Sequence, residues 1–443
     1  MNQSREKFDS NLAAVLALAG SAIGLGNIWR FPYITGQHGG AAFIIIYMIC
    51  SCFIALPIFF SEAIIGRSTS SSTFGAIEKI APGSRWRYIG LICIITPLII
   101  LSYYSVVGGW SVAYLVKSTV SSFGQMTQQE VSSIFSEFTG SVWLPVLCHT
   151  VFLLISILVV KGGVKKGIQK LSQITMPALF VIMILLMFYS LSMPGSMEGV
   201  KYLIKPDFSK IDGPAIAAAL GQSFFSLSLG VGTVLTYSSY MSAKDNIITT
   251  GGWTVLFDLS FALIAGFVIM PAVFAANLQP SSGPGLVFES LPFIFAQIGG
   301  VSPLLAKVVT VAFFLAILMA ALTSEVSMIE VCTAYLVEEK NMKRGKATAL
   351  VFVVGWLIGT CCSVFPKLFD ACDFVASNVL MMIGALAFCL FVGWRMKKAV
   401  VRRELTGDGS QKIGNVLFKP IYFLIRYVAP VAIVAIFVSN FIS

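Results

Sequence analysis

Apolar residues run through this chain in long blocks, separated by short polar segments. Ala41 to Ser61, Ile174 to Met193 and Val431 to Ser443 carry no charged side chain. A helix needs about 20 apolar residues to cross a bilayer, whereas strands and soluble core helices are shorter. Eleven such blocks can be laid out, at 11–36, 41–66, 88–117, 143–160, 171–193, 213–240, 247–276, 304–337, 347–365, 371–394 and 420–441. The pattern predicts an all-α membrane protein of about 11 transmembrane helices.

Two blocks are interrupted. The first contains GSAIGLGNIWRFP, Gly20 to Pro32, and the sixth contains GQSFFSLSLGVG, Gly221 to Gly232. Glycine is common in membrane helices as a packing residue, but here it comes with serines, an Asn and an Arg. Polar groups freed in hydrocarbon cost several kcal/mol unless a cavity, a ligand or each other satisfies them. The two blocks lie five spans apart, and an odd offset inverts the second unit relative to the first. This predicts an inverted five-plus-five repeat with helices 1 and 6 broken and the ligand site beside the breaks. The expected division is 1–193 for the first repeat with a cytoplasmic N-terminus, 213–398 for the second, and 399–443 for a cytoplasmic loop and eleventh helix.

Composition agrees: 57% of the 443 residues are hydrophobic and 11% charged, against about 25% charged in soluble chains. The net charge of +10 raises the question of nucleic acid, but its distribution answers it. With the N-terminus inside, most Lys and Arg fall on inner segments, among them Arg5, Lys7, Arg67, Lys161, Lys165, Lys166, Arg344, Lys397, Lys398, Arg402 and Arg403. The outer side holds only Lys117, Lys201, Lys205, Lys210, Lys307 and Lys367 at or near its loops. That is the positive-inside asymmetry of a multi-pass protein of the plasma (inner) membrane. The lipid bilayer is therefore an expected partner and nucleic acid is not. The nine cysteines show no metal spacing, and the two histidines, His38 and His149, lie near no carboxylate pair or cysteine cluster in sequence. No phosphate loop or nucleophile elbow is found, which argues against an enzyme.

The run AGSAIGLGNIWRFPY closely resembles the first helix of the neurotransmitter:sodium symporters. SEAIIGR at Ser61 to Arg67, SYYSVVGGW at Ser102 to Trp110, SFFSLSLGVG at Ser223 to Gly232, ALTSEVS at Ala321 to Ser327 and CDF at Cys372 to Phe374 extend the resemblance over nearly the whole chain. Within that family it looks like the eleven-span bacterial type, related to the bacterial leucine transporter.

The resemblance implies a sodium-coupled secondary active symporter importing a neutral amino acid by alternating access. It assigns the carboxylate to the Leu25 and Gly26 N–H groups and the Tyr104 hydroxyl. The amine goes to the carbonyls of Ala22, Phe225 and Ser226, with Ser228 nearby. The side-chain pocket would comprise Ile100, Tyr104, Phe225, Val231, Ser324 and Met328, which favours a large hydrophobic or aromatic substrate. Two Na+ sites are implied: one from Ala22, Asn27, Ser226, Asp258 and the substrate carboxylate, the other from Gly20, Ile23, Ala320, Thr323 and Ser324. Asp258 stands where Asn is commoner, and a fixed acid there implies that chloride is not required. Arg30 with Asp373, and Phe225 as a lid, would form the outer gate. Arg5 with Glu338 would form the cytoplasmic gate. A proton-coupled carrier of the same fold and a non-transporting amino-acid sensor remain alternatives. The first is disfavoured because Leu171 to Met193 holds no Lys or Arg to replace the second sodium.

Overall fold

The structure is a computed structural model describing residues 5–120, 128–276, 286–297 and 302–442. Among these residues, nine helices are long and apolar enough to cross a membrane: Ala41–Thr69, Arg87–Val120, Trp143–Lys161, Val164–Leu191, Ile247–Ala275, Pro303–Glu338, Arg344–Val364, Pro366–Arg395 and Lys412–Ser439. The pair Asn11–Ala22 and Gly26–Gln37, bent by 55°, adds a tenth. Gly213–Ser226 and Thr233–Ser238, separated by a six-residue turn, supply the broken sixth span. The spans are numbered below in chain order. Short helices at Thr73–Ile80, Gln128–Gly140, Ser196–Ile204, Leu291–Gln297 and Lys398–Thr406 cover the ends of the bundle. Their amphipathic or mixed pattern is too short to read from apolar blocks.

Local chemistry sets the breaks. The first span begins at a cap in which the Ser10 side chain accepts from Ala13 N at 3.2 Å. It ends where Ile23 turns extended, with ψ 107°. The sixth span begins with Asp212 accepting from Ala215 N at 2.8 Å. It ends where Ser228, Gly230 and Gly232 take positive φ. Gly230 cannot be replaced there, because an added Cβ would stand 2.0 Å from the Met381 carbonyl oxygen. Backbone groups released by this turn find a partner in the second span: Glu62 accepts from Gly230 N at 2.7 Å and from Leu235 N at 3.4 Å. Without that carboxyl, N–H groups in a water-poor interior would be left bare.

Of the nine unbroken spans the third is the most enclosed, with 72% of its apolar window buried, against 33% for the fifth and ninth. It lies along the eighth span and carries Tyr104 inward, while Thr323 and Ser324 face in from the eighth. The first span is cradled by the fifth, seventh and eighth. Outward-facing apolar side chains such as Leu158, Ile174, Leu185, Phe188 and Val431 form the lipid-facing surface, since lipid is as good a solvent for them as a protein core.

Candidate functional site

The two breaks face one another across a small central pocket. It is lined by Ala22, Gly24, Gly26, Ile100, Tyr104, Phe225, Ser226, Ser228, Val231, Ser324, Met328 and Met381. Every residue predicted for the substrate site is among them except Leu25, whose N–H donates to the Tyr104 hydroxyl at 3.1 Å. Gly24 and Met381 were not predicted. Gly24 is required because a Cβ there would stand 2.5 Å from Ser324 Oγ and 2.8 Å from the Tyr104 hydroxyl. Met381 comes from the tenth span, where nothing distinguishes it in sequence from lipid-facing neighbours. The Leu25 and Tyr104 groups expected to meet a carboxylate are thus adjacent and bonded to each other.

The predicted first cation set also converges. The Asn27 amide nitrogen stands 2.7 Å from Asp258 Oδ1, 3.0 Å from Ser226 Oγ and 3.3 Å from the Asp258 carbonyl. Ser226 Oγ donates to Asp258 Oδ1 at 2.7 Å, and the Tyr47 hydroxyl donates to Oδ2 at 3.2 Å. The buried acid is therefore fully engaged, as one in the membrane interior must be. One detail differs from expectation: the Asn27 oxygen faces the Gly24 N–H at 3.2 Å, not the oxygen cluster. An electropositive NH2 occupies the point where those oxygens gather, because Asp258 draws donors to itself. A cation fits that point once the carboxamide turns over.

In the second set, Ser324 Oγ lies 3.3 Å from the Ile23 carbonyl and 3.3 Å from the Ser21 carbonyl. Thr323 Oγ1 donates to the Ala320 carbonyl at 3.0 Å. A Cβ on Gly20 would meet Thr323 Cβ and Ser172 Oγ, each at 3.5 Å. All five expected residues are brought together, and Ser172 of the fifth span joins them. The donors are neutral hydroxyl and carbonyl oxygens, the kind of set a hard cation prefers.

The two predicted gates behave differently. Arg5 pairs with Glu338 at 2.8 Å, and Ser72 N donates to the same carboxylate at 2.6 Å. Arg30 and Asp373, by contrast, form no ion pair among the described residues. Both line a cavity of about 260 Å³ above the pocket, shared with Trp29, Tyr33, Phe369 and Asp370. The Arg30 guanidinium instead lies over the Phe225 ring, 4.7 Å from its centroid, and Asp373 accepts from Ser377 Oγ at 3.1 Å. The expected direct pair is thus replaced by a cation–π stack, with Asp373 still within electrostatic range of the guanidinium. Phe225 does lie between cavity and pocket, lining both.

Sequence reasoning missed a second network at the Arg5 end. Glu330, wholly buried, accepts from the Tyr240 hydroxyl at 2.6 Å and is gripped at both oxygens by Arg344, with Nη1 at 3.2 Å from Oε1. Arg344 Nε donates to the Val160 carbonyl at 2.8 Å, and the Arg5 guanidinium covers the Tyr240 ring at 4.5 Å. Just before the first span, Asp9 is held below the usual carboxylate range by a hydrogen bond from Lys165, 2.6 Å away.

Comparison with known proteins agrees with this geometry. The chain matches the sodium:neurotransmitter symporter family over residues 5–133 and 126–443. It is 37% identical to the sodium-dependent transporter YhdH of Bacillus subtilis (strain 168), over 99% of this chain and 98% of that one. It is 31% identical to a sodium-dependent transporter of Haemophilus influenzae, over 99% of each. A crystal structure of MhsT in complex with L-phenylalanine superposes with TM-score 0.89 at 38% identity, covering 98% of this chain and all of that one. The chain is a multi-pass membrane protein belonging to the sodium:neurotransmitter symporter family.

Proposed function

We propose that this protein imports a neutral amino acid with a large hydrophobic or aromatic side chain, driven by two Na+ ions, across the cell membrane with its N-terminus in the cytoplasm. The observation that carries this reading is the joining of two broken spans around one pocket, with oxygen clusters on either side of it. Leu25 and Gly26 N–H groups and the Tyr104 hydroxyl suit the carboxylate. Carbonyls of Ala22, Phe225 and Ser226, with Ser228, suit the amine. The partly positive ends of interrupted helices favour the anion and freed carbonyls favour the cations. The family is one of secondary carriers, and nothing in the site is arranged for bond chemistry.

The side-chain end of the pocket is built from Ile100, Val231, Met328 and Met381 with Phe225 above, and no acid lines it. The pocket as a whole has a free volume of only about 40 Å³. Met328 and Met381 are unbranched and adaptable, and Phe225 opens toward the outer cavity, so a large side chain is accommodated by their movement. That MhsT was crystallised with L-phenylalanine supports the same class.

A substrate carboxylate completing the coordination at Asn27, Ser226 and Asp258 couples solute to ion, since each binds weakly without the other. Two Na+ ions crossing 100 mV release about 4.6 kcal/mol, and a tenfold concentration gradient adds roughly 1.4 kcal/mol per ion. The sum, about 7 kcal/mol, sustains roughly a 10⁵-fold solute gradient. Asp258 supplies a resident negative charge beside the first cation, which makes chloride unnecessary.

The test is uptake by purified protein in liposomes under an imposed inward Na+ gradient, with competition by all twenty amino acids. Phenylalanine, tyrosine, tryptophan and leucine should compete, and replacing chloride by gluconate should leave the rate unchanged. Asp258→Asn should lose activity or acquire chloride dependence. Uptake that ignores Na+ and follows a pH gradient would replace this reading with a proton-coupled one; binding without accumulation would indicate a sensor.

A further inference from the structure

The ninth and tenth spans meet at a tight corner. Arg344–Val364 ends at Phe365, whose N–H donates to the Cys361 carbonyl at 2.8 Å, and Pro366 opens the next helix. Across this corner the Cys362 and Cys372 sulfurs lie 3.9 Å apart. Cys362 is buried and Cys372 is partly exposed, so a small reagent reaches one thiol directly and the other through it. A disulfide brings its sulfurs to about 2.05 Å. The remaining approach, roughly 1 Å for each sulfur, is within reach of side-chain rotation alone. Cys372 directly precedes Asp373, and its helix presents Phe369, Asp370 and Asp373 to the outer cavity.

We propose that Cys362 and Cys372 form a reversible disulfide on the outer face, fixing the helix that carries Asp373 to the ninth span and slowing movement of the outer gate. The orientation, and the consequence for transport, rest on the function proposed above; formation of the bond does not. A small external disulfide, RSSR, is the oxidant. The Cys372 thiolate attacks one sulfur and expels RS⁻, leaving a mixed disulfide. The Cys362 thiolate then attacks the Cys372 sulfur and expels the second RS⁻. Two protein thiols are oxidised, RSSR is reduced to two RSH, and the two protons released by the cysteines end on those thiols. Outer membrane faces are where such bonds persist, and a bridge in so short a loop is readily reversed when a thiol is added.

Oxidised glutathione, which does not cross the bilayer, is added outside right-side-out vesicles containing the Cys361→Ser protein. Thiols are then counted by maleimide–polyethylene glycol after denaturation, alongside intact mass. Two alkylatable thiols should be lost with a mass decrease of two hydrogens. Neither change should occur in Cys372→Ser. Phenylalanine uptake should slow on oxidation and recover with dithiothreitol, whereas Cys372→Ser should be indifferent to both. A full thiol count after oxidation overturns the bridge, and a complete bridge with unchanged uptake overturns its control of the gate. Bridging in a protein that takes up no amino acid even when reduced would place the failure in the transport reading, because the covalent readout is independent of it.

Discussion

At the end of the bundle that carries the N-terminus, Arg5 holds Glu338 at 2.8 Å and covers Tyr240, while Tyr240 and Arg344 converge on a wholly buried Glu330. At the opposite end, Arg30 leans on the Phe225 ring and Asp373 bonds to Ser377, and both charged residues line a cavity of about 260 Å³. One end is closed by linked charges reaching four spans; the other rests on a single ring. A buried charge pair is costly to open because one partner's departure strands the other. A ring swings aside at the expense of its packing and one cation–π contact. With the orientation proposed above, the difference is that of a carrier held more firmly at the N-terminal end than at the opposite one, the arrangement suited to receiving solute and ions from outside.

The comparison can be broken most forcefully at Glu330. Glu330→Ala leaves Arg344 and Tyr240 without their shared acceptor, and losing one partner of a buried pair costs about 3–5 kcal/mol. Exposure of the path at this end should rise on the order of 100-fold, read as the maleimide labelling rate of Cys332, now buried and donating to the Ile94 carbonyl, in protein lacking other cysteines. Phe225→Ala comes next: a central aromatic contact is worth about 2 kcal/mol, so the substrate Kd should rise about 30-fold by equilibrium binding. Arg5→Ala removes a partly buried ion pair and a cation–π contact, together about 1 kcal/mol, and should raise Cys332 labelling by no more than about tenfold. Asp373→Asn breaks no direct ion pair with Arg30, only a longer-range attraction, and should change substrate affinity by less than about threefold. If Asp373→Asn matched Glu330→Ala in effect, the two ends would not differ as described.

Much of this was legible in sequence. Spans read from apolar blocks agree with the helices to within a few residues over most of the bundle, because a membrane dictates both length and composition. The breaks were visible because glycine and polar residues cluster where hydrocarbon forbids them. Pocket residues followed from motif resemblance, and the structure brings them together. What escaped reading was pairing over distance. Arg344 lies in a basic run that the positive-inside rule already explains, so nothing marked it as a partner for Glu330. Glu62 was quoted in a motif, yet its role in anchoring the sixth-span break depends on a contact 168 positions away. Arg30 and Asp373 come within electrostatic range but not into an ion pair, for a related reason: a motif names two charges but not whether a nearby ring takes up one of them. Asn27 does lie beside Ser226 and Asp258, but its amide nitrogen and not its oxygen meets them, a direction that no sequence pattern records.

The central claim is that oxygens freed by the two interrupted spans bind a cation beside the solute. Equilibrium binding of radiolabelled phenylalanine to the purified protein, in Na+ and in choline at equal ionic strength, tests it most directly. Binding should be saturable in Na+ and at least about tenfold weaker in choline. Equal affinity in the two salts would contradict it.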